Sequence, residues 1–275
     1  MNAIEAAALT HRGRVRPGNE DTVGLAGWLS AESGAHPVAL HWAADGPALC
    51  VIADGMGGHA AGEVASRIAV ERLLASTAGI ADEAGLRAAI LQAHLAVRAA
   101  ARADPAKADM GTTLAGLLFL DGQALVFNIG DSRVYRENSG YLRLLSCDDT
   151  SSFDSDGPEA RTGRRASHGL LQAVGLDLGD IAPTPHLSVV TIGGGERFLL
   201  CSDGLTDMLD QDEIEACLEP DLPATVTRLF KVAMAAGGED NISIMMVQCP
   251  RASAAKLPDR PSLRAAAGKP MERCR

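Results

Sequence analysis

The chain has 275 residues, of which 47% are hydrophobic and only 3% are aromatic, and its formal net charge is −10. This length allows one large core or two small ones, which aliphatic residues and alanine must fill. The acidic charge disfavours nucleic acid and anionic membranes as partners, and it favours divalent cations.

Charge and cysteine distribution set further expectations. Residues 251–275 contain seven Lys/Arg and two acidic residues, a net of +5, so residues 1–250 carry −15. No apolar run approaches the roughly 18–20 residues of a membrane span, and residues 1–10 lack a signal-peptide pattern. The six cysteines show no C-x-x-C spacing, so neither a zinc site nor a disulfide framework is indicated. We therefore expect a cytoplasmic protein with reduced thiols.

A charged turn is predicted near the N-terminus, in the segment HRGRVRPGNEDT at 11–22. Its break at Pro17-Gly18 brings a guanidinium close to the carboxylates of Glu20 and Asp21. Arginine offers a rigid fork of donors that suits phosphate oxygens. A surface loop of self-neutralising ion pairs is the simpler interpretation of this segment alone.

One strand-turn-helix pattern contains an unusually placed acidic residue. Residues 49–53 form an apolar run that predicts a buried strand, and Asp54 with three glycines follows directly. A carboxylate there is costly to desolvate unless a cation meets it, and glycines leave space for an ion. Asp54 is therefore predicted to be a metal ligand. The alternative is a tight turn in which Asp54 caps the helix predicted over 62–76.

The same stretch also matches the loose G-x-G-x-x-A pattern of dinucleotide-binding loops. A pyrophosphate at this turn would face the Asp54 carboxylate, and the repulsion between these anions favours a divalent cation instead. A dinucleotide oxidoreductase also needs a βαβ unit after Gly55, whereas the pattern after residue 110 is rich in hairpins.

The remaining elements are predicted from periodicity and turn residues. Residues 27–48 are expected to form an irregular connection within a hairpin, and 82–102 a helix in which His94 is a core or edge residue. An antiparallel meander is expected from residue 112 to 145, with Asp131 on a tight turn. The later elements are a flap or mobile loop at 146–168, a hairpin of 186–192 with 197–202, helices, a last strand at 242–248 and a disordered basic tail at 251–275.

Three aspartates, Asp54, Asp203 and Asp240, lie at the ends of apolar strands. Each would carry a desolvation cost that convergence on cations would offset. Because oxygen-only ligands select hard ions, the expected cofactor is Mg²⁺ or Mn²⁺ and not zinc.

Six motifs between residues 10 and 248 carry a family resemblance. They are Val15-Arg16-x-x-Asn19-Glu20-Asp21, Asp54-Gly55-Met56-Gly57-Gly58-His59, Gly111-Thr112-Thr113, Asn128-Ile129-Gly130-Asp131-Ser132-Arg133, Cys201-Ser202-Asp203-Gly204-Leu205 and Asp240-Asn241-Ile242-Ser243. In this order and spacing they resemble the bacterial metal-dependent Ser/Thr protein phosphatases of the protein phosphatase 2C type. The resemblance implies an α+β fold: a four-layer α/β/β/α sandwich of two antiparallel sheets flanked by helices, with a dinuclear metal centre at one end.

The resemblance also implies a ligand set. Asp54 would bridge two tightly bound Mn²⁺ or Mg²⁺ ions, and Gly55 would add its carbonyl. Asp203 and Asp240 would complete the coordination of one ion. The other members of the set are Glu20 and Asp21, which would act through waters, and Asp131, which would share a third, weaker ion with Asp203.

The implied reaction is hydrolysis of phosphoserine and phosphothreonine in proteins by a metal-activated water, without a covalent enzyme intermediate. Arg16 would grip the phosphate. Met56 occupies the position of a histidine that eukaryotic members use as candidate general acid, and His59 is the nearest substitute. The resemblance implies a monomeric catalytic domain at 1–250 that opposes a Ser/Thr kinase. A metal-binding regulatory module without turnover is the other function class to separate from it.

Overall fold

The structure, a computed structural model, describes residues 3–43, 46–57, 61–120, 122–151, 169–176 and 181–249. In chain order, the strands are β1 (Ala3–His11), β2 (Thr22–Leu25), β3 (Trp28–Ser30), β4 (Val38–Ala43), β5 (Ala48–Ala53), β6 (Gly55–Met56), β7 (Gly111–Thr112), β8 (Leu114–Leu120), β9 (Gln123–Ile129), β10 (Arg133–Asn138), β11 (Tyr141–Leu144), β12 (Thr150–Ser151), β13 (Gly169–Leu170), β14 (His186–Thr191), β15 (Arg197–Cys201) and β16 (Ile242–Gln248). The α-helices are α1 (Ala61–Ser76), α2 (Glu83–Ala103), α3 (Asp203–Thr206), α4 (Gln211–Glu215) and α5 (Leu222–Ala236).

Two six-stranded antiparallel sheets form the centre of the fold. The first has the order β11-β10-β15-β16-β1-β4, and the second has the order β14-β9-β8-β5-β2-β3. Helices α1 and α2 cover the outer face of the second sheet, while α3, α4 and α5 cover that of the first. The predicted four-layer α/β/β/α sandwich is confirmed.

Strand β5 shows why its sequence is apolar without alternation. Cys50 and Ile52 pack between the two sheets, whereas Leu49 and Val51 pack beneath α1 and α2. All six residues of this strand are buried. A strand with helices on one face and a sheet on the other must be hydrophobic on both faces, which accounts for the continuous run.

Helices α1 and α2 lie within one residue of the helices predicted over 62–76 and 82–102. The Asp82 side chain caps α2 by accepting from the Gly85 N–H at 2.8 Å, and α5 ends at Gly237, whose φ is +148°. Asp210 and Glu213 form a capping box at α4. His94 on α2 is buried, as predicted for a core histidine.

The predicted continuous meander at 112–145 and the predicted hairpin of 186–192 with 197–202 are wrong, because the chain crosses between the sheets at both places. Strand β9 pairs with β8 in the second sheet, whereas β10 pairs with β15 in the first, so Asp131 lies on a crossover and the meander is interrupted. Similarly, β14 pairs with β9 and β15 with β16, so the glycines at 193–195 do not close a hairpin. Residues 27–48 are not simply irregular either, since they contain β3 and β4.

Some predictions fall on residues outside the described ranges. These are His59, most of the predicted flap (152–168) and the tail at 251–275. No helix in the described part of the chain is long and apolar enough to cross a bilayer. The five cysteines that the structure describes are free thiols.

Candidate metal centre

A cleft of about 270 Å³ lies at one end of the sandwich, where several strands end or begin together. The pairing of Cys201 with Arg133 and Ile244 brings the end of β15 beside the starts of β10 and β16. On the second sheet, the end of β5 lies beside the start of β8. The acidic and basic residues that line this cleft are Arg16, Glu20, Asp54, Asp131, Asp203 and Asp240.

The opposite end of the first sheet contains a larger cleft of about 790 Å³. Four of its charged side chains form two ion pairs, because Arg136 pairs with Glu196 and Arg197 Nε lies 3.1 Å from Glu137 Oε2. It contains none of the strand-end aspartates. The chemistry indicated by the sequence therefore belongs to the smaller cleft.

The backbone of Asp54 is fixed by two threonines. Its N–H donates to Thr113 Oγ1 at 3.0 Å, and its carbonyl accepts from the Thr113 N–H and the Thr112 hydroxyl, both at 2.9 Å. Thr113 Oγ1 is also 2.7 Å from Ser132 Oγ, so it ties the Asp54 segment to the turn that carries Asp131. With its backbone held in this way, the Asp54 carboxylate lines the cleft.

Asp21 is buried and does not line the cleft, but its charge acts on Asp54. The Ser202 hydroxyl donates to its Oδ2 at 2.8 Å, whereas Oδ1 has no hydrogen-bond partner among the described residues. The preceding Glu20 is held by its backbone, because its N–H donates to Asn241 Oδ1 at 2.7 Å. The Asn241 amide in turn donates to the Arg12 and Gly18 carbonyls, which fixes the N-terminal turn against the start of β16.

Glycine is required at position 55 because backbone crowds it. A Cβ there would lie 2.1 Å from the Gly62 carbonyl oxygen and 2.5 Å from the Glu20 carbonyl oxygen. The Gly55 N–H donates to that same Glu20 oxygen at 3.2 Å. The glycine thus allows the start of α1 and the Glu20 segment to approach Asp54 closely.

The carboxylates of the cleft have strongly perturbed acidity. Burial raises the pKa of Asp203 to about 8, with further contributions from Asp131 and Asp207. Burial, followed by the charges of Asp21 and Asp203, raises the pKa of Asp54 well above its usual range. Burial also raises the pKa of Asp21 and of Asp131 to about 6. Such shifts mark a site that lacks sufficient positive charge of its own.

The residues present fit divalent cations. The buried Oδ1 atoms of Asp21 and Asp203 have no hydrogen-bond partner within the described ranges, and a bound cation would satisfy them. The donor set is oxygen only, which suits Mn²⁺ or Mg²⁺. No three Asp, Glu, His or Cys side chains of the described residues form a ready metal-ligand group. The arrangement therefore fits an open site completed by water better than a closed protein cage.

Arg16 lies at the rim of the cleft, but its main partner differs from the prediction. Its Nη2 is 2.6 Å from Asp240 Oδ2, whereas the sequence suggested a turn that brings a guanidinium to Glu20 and Asp21. The Arg16 side chain is 52% exposed. A phosphate in the cleft could therefore reach it from solvent.

Sequence reasoning missed Asp207, a further carboxylate at this site. Its backbone N–H donates to the Asp203 carbonyl at 2.7 Å, one helical turn earlier. Its charge contributes to the raised pKa values of both Asp131 and Asp203. The i, i+4 spacing from Asp203 was the available signal.

Comparison with known families settles the class of the protein. The family profile described as "Protein phosphatase 2C" matches residues 38–245, which is most of the chain. The chain belongs to the protein phosphatase 2C family. The family resemblance predicted from the motifs is therefore confirmed.

Individual relatives of this phosphatase family agree. The chain is 33% identical over 256 residues to the serine/threonine protein phosphatase PstP of Mycobacterium tuberculosis, which covers 88% of this chain but only 44% of that protein. It therefore spans less than half the length of that relative. It is 31% identical over 264 residues to the serine/threonine phosphatase stp of Listeria monocytogenes, covering 89% of this chain and 96% of that one.

A solved structure extends the comparison to the fold. The crystal structure of the PstP catalytic domain in complex with two manganese ions matches with a TM-score of 0.69 and 32% identity. The match covers 90% of this chain and 99% of the other. The sandwich described above is therefore also the fold of the PstP catalytic domain.

Proposed function

We propose that this chain hydrolyses phosphoserine and phosphothreonine in proteins and depends on two tightly bound Mn²⁺ or Mg²⁺ ions. The observation that carries the proposal is the convergence of buried carboxylates with raised pKa values on one cleft, with an arginine at its rim. The names of the relatives support the reaction class. The manganese ions of the PstP catalytic domain support the cofactor.

The proposed ligands follow the positions of the side chains around the cleft. Asp54 is proposed as the bridging ligand, because the charges of both Asp21 and Asp203 act on its carboxylate. The ligands proposed beside it are the Gly55 carbonyl, Asp203 and Asp240, then Glu20 and Asp21 through waters, and Asp131 together with Asp203 at a third, weaker site.

The proposed chemistry divides between the ions and the chain. When bound, the divalent ions supply the positive charge that activates water and stabilises the transferring phosphoryl group. Arg16 binds the phosphate oxygens through its planar fork of donors. To do so, its guanidinium leaves the Asp240 carboxylate, with which it pairs in the structure, and pairs with the phosphate of the substrate. Asp131 orients a water beside the leaving oxygen. A general-acid role for His59 stays a prediction.

The cleft can hold the phosphorylated end of a side chain. Its volume of about 270 Å³ is near the lower end of the roughly 300–1,000 Å³ of ligand sites, and Arg16, which lines it, is 52% exposed to solvent. We therefore infer that it receives a phosphorylated side chain that projects from a protein surface. The rest of such a substrate would lie outside the cleft.

The proposed partners are phosphorylated proteins and a cognate Ser/Thr kinase, and we propose a monomeric cytoplasmic enzyme that binds neither nucleic acid nor membranes. The strongly acidic composition and the free thiols of the described cysteines support this setting. Light scattering gives the oligomeric state. Incubation with the host's phosphoproteome, followed by identification of the sites that lose phosphate, gives the substrates.

The decisive experiment measures hydrolysis of an aryl phosphate and a phosphoserine peptide while Mn²⁺ is varied, with calorimetric counting of bound ions. Two tightly bound ions and metal-dependent release of phosphate from both substrates are expected. Asp240→Asn should remove most turnover at limiting metal, whereas Asp82→Asn on the surface should not. Tight binding of two ions without turnover would instead identify a metal-binding regulatory module.

A further inference from the structure

The buried side chain of Asp149 restrains the turn that precedes Asp131. Its Oδ2 accepts from the Gly130 N–H at 2.8 Å, and its own N–H donates to the Gly130 carbonyl at 3.0 Å. The Gly130 carbonyl belongs to the peptide bond between Gly130 and Asp131. Asp149 therefore fixes both peptide groups of the residue immediately before a proposed metal ligand.

Gly130 makes this restraint necessary. Its φ is +94°, and a Cβ at this position would lie 2.7 Å from Thr113 Cγ2, so the crossover requires glycine. Glycine has a wide conformational range and adds no side chain that could hold the turn. On the other side of Asp131, Ser132 and Arg133 are restrained by Thr113 and by the ion pair with Asp148. Asp149 supplies the corresponding restraint on the N-terminal side.

The second carboxylate oxygen of Asp149 is also occupied. His186 Nε2 lies 2.7 Å from Oδ1, and His186 is the first residue of β14, opposite Asn128 on β9. The Asn128 amide donates to the Cys147 carbonyl at 2.6 Å, and its oxygen accepts from the Cys147 N–H. The imidazole therefore fixes the second oxygen of the Asp149 carboxylate. Asn128 acts on the turn itself, because its Nδ2 also donates to the Gly130 carbonyl at 3.3 Å.

Asp149 also connects the turn to a ribbon that reaches the cleft. Its carbonyl accepts from the Leu171 N–H at 2.8 Å, just after the pairing of β12 with β13. Leu170 of β13 lines the cleft. Farther along, Val174 exchanges two backbone hydrogen bonds with Thr112, whose hydroxyl donates to the Asp54 carbonyl. The ribbon is thus joined to the segments that carry Asp131 and Asp54.

We propose that Asp149 is a positioning residue that sets the Asp131 carboxylate in the cleft and couples it to the β12–β13 ribbon. Its effect on turnover rests on the proposed function, whereas its effect on the Gly130 turn does not. Without the Asp149 carboxylate, the Gly130 peptide loses a charge-assisted hydrogen bond and the Asp131 side chain samples orientations away from the cleft. The proposal therefore predicts loss of turnover more than loss of substrate binding.

The test compares Asp149→Ala with Asp149→Asn, which keeps an oxygen that can accept from Gly130. In Asp149→Ala we expect amide hydrogen exchange at Gly130 to accelerate about tenfold or more, the scale of one hydrogen bond to a charged group. We expect kcat on a phosphopeptide to fall about tenfold with less than about a twofold change in KM. Asp149→Asn should keep hydrogen exchange at Gly130 and kcat close to their parental values. Asp212→Ala, which changes an exposed aspartate on α4, should match the parent.

Several outcomes would overturn the proposal. These are parental exchange at Gly130 in Asp149→Ala, or a variant whose melting temperature falls while kcat per folded molecule is unchanged. If Asp149→Ala does not fold, Asp149→Ser, whose shorter side chain cannot span to Gly130, must show the same exchange and kcat losses. If the parent itself has no metal-dependent phosphatase activity, the proposed function fails, and hydrogen exchange alone decides the role of Asp149.

Discussion

Replacing Asp203 by asparagine should have opposite effects on the stability of the metal-free and the metal-bound protein. The unfolded carboxyl ionises near its ordinary pKa of 3.8, whereas the folded one has a pKa of about 8, because it is buried beside Asp131 and Asp207. The folded protein therefore keeps a proton that the unfolded chain releases. Consequently, the free energy of unfolding of the metal-free protein falls as the pH rises from about 4 to about 8.

The size of this effect follows from the pKa values. At pH 7 the solution is about three pH units above the pKa of the unfolded carboxyl, whereas the folded carboxyl is still protonated. The resulting loss of free energy of unfolding has an upper limit of about 4 kcal/mol. Asparagine ionises in neither state, so Asp203→Asn removes this loss. The metal-free variant should be more stable than the parent at pH 7, by at most this amount, and the gain should vanish near pH 4.

The metal-bound protein should respond in the other direction. A cation must displace the Asp203 proton, so Mn²⁺ affinity of the parent should increase with pH up to about 8. A free Mn²⁺ concentration about a hundredfold above Kd should raise the parent's free energy of unfolding by about 2.7 kcal/mol for each bound ion. Asp203→Asn should lose most of this added stability because it lacks the charged ligand.

Urea unfolding of the parent and of Asp203→Asn at pH 4 and pH 7, each with EDTA and with Mn²⁺, measures the free energy of unfolding under all four conditions. Asp82→Asn is the matched control, since Asp82 caps α2 on the surface and asparagine caps equally well. It should leave the metal-linked stability unchanged. An Asp203→Asn protein that is less stable than the parent in EDTA at pH 7, or that keeps the full stabilisation by Mn²⁺, would refute the reasoning.

Three further changes test other parts of the centre. Arg16→Ala should weaken phosphate-monoester binding by about 1.5–3 kcal/mol with little change in calorimetric Mn²⁺ affinity; unchanged KM and kcat would return Arg16 to a surface ion pair. Gly55→Ala should cost about 1–3 kcal/mol or more in urea unfolding because its Cβ meets backbone at 2.1 Å, whereas Gly79→Ala, with no atom within 4 Å, should be nearly neutral. Asp131→Ala should keep two tight ions and a near-parental melting temperature, yet lose turnover on phosphopeptides more than on aryl phosphates, whose phenolate leaves readily; an equal loss on both substrates would contradict a role in protonating the leaving group.

Local features of the fold were predictable because their signals are local. The observed bounds of β16 coincide with the strand predicted at 242–248, and Asp82 caps α2 at the start of the helix predicted over 82–102. The crossovers were not predictable in this way. A strand, a glycine turn and a second strand have the same local pattern whether the second strand joins the same sheet or the facing one. Only the pairing of β10 with β15 distinguishes them, and that is a non-local contact.

Some residues of the candidate site were also predictable from local sequence, whereas others were not. Asp54, Asp203 and Asp240 were predicted to converge from the cost of placing carboxylates at the ends of apolar strands, and they line one cleft. Glu20 gained its predicted role only through the family resemblance, because a charged turn is usually solvated. Asp149 lies in a polar segment without periodicity, where nothing in the sequence indicates that its carboxylate is buried.

The cleft is assembled from distant parts of the chain, and this has a consequence for its energetics. Asn241 alone joins Glu20, Gly18 and Arg12, more than 220 positions away, and β16 lies beside β1 in the first sheet. Glu20 follows β1 and Asp240 directly precedes β16, so the site needs both the first and the last described strands. Cation binding is therefore linked to global unfolding and not to the opening of one loop, so the stability that Mn²⁺ adds should appear across the whole sandwich.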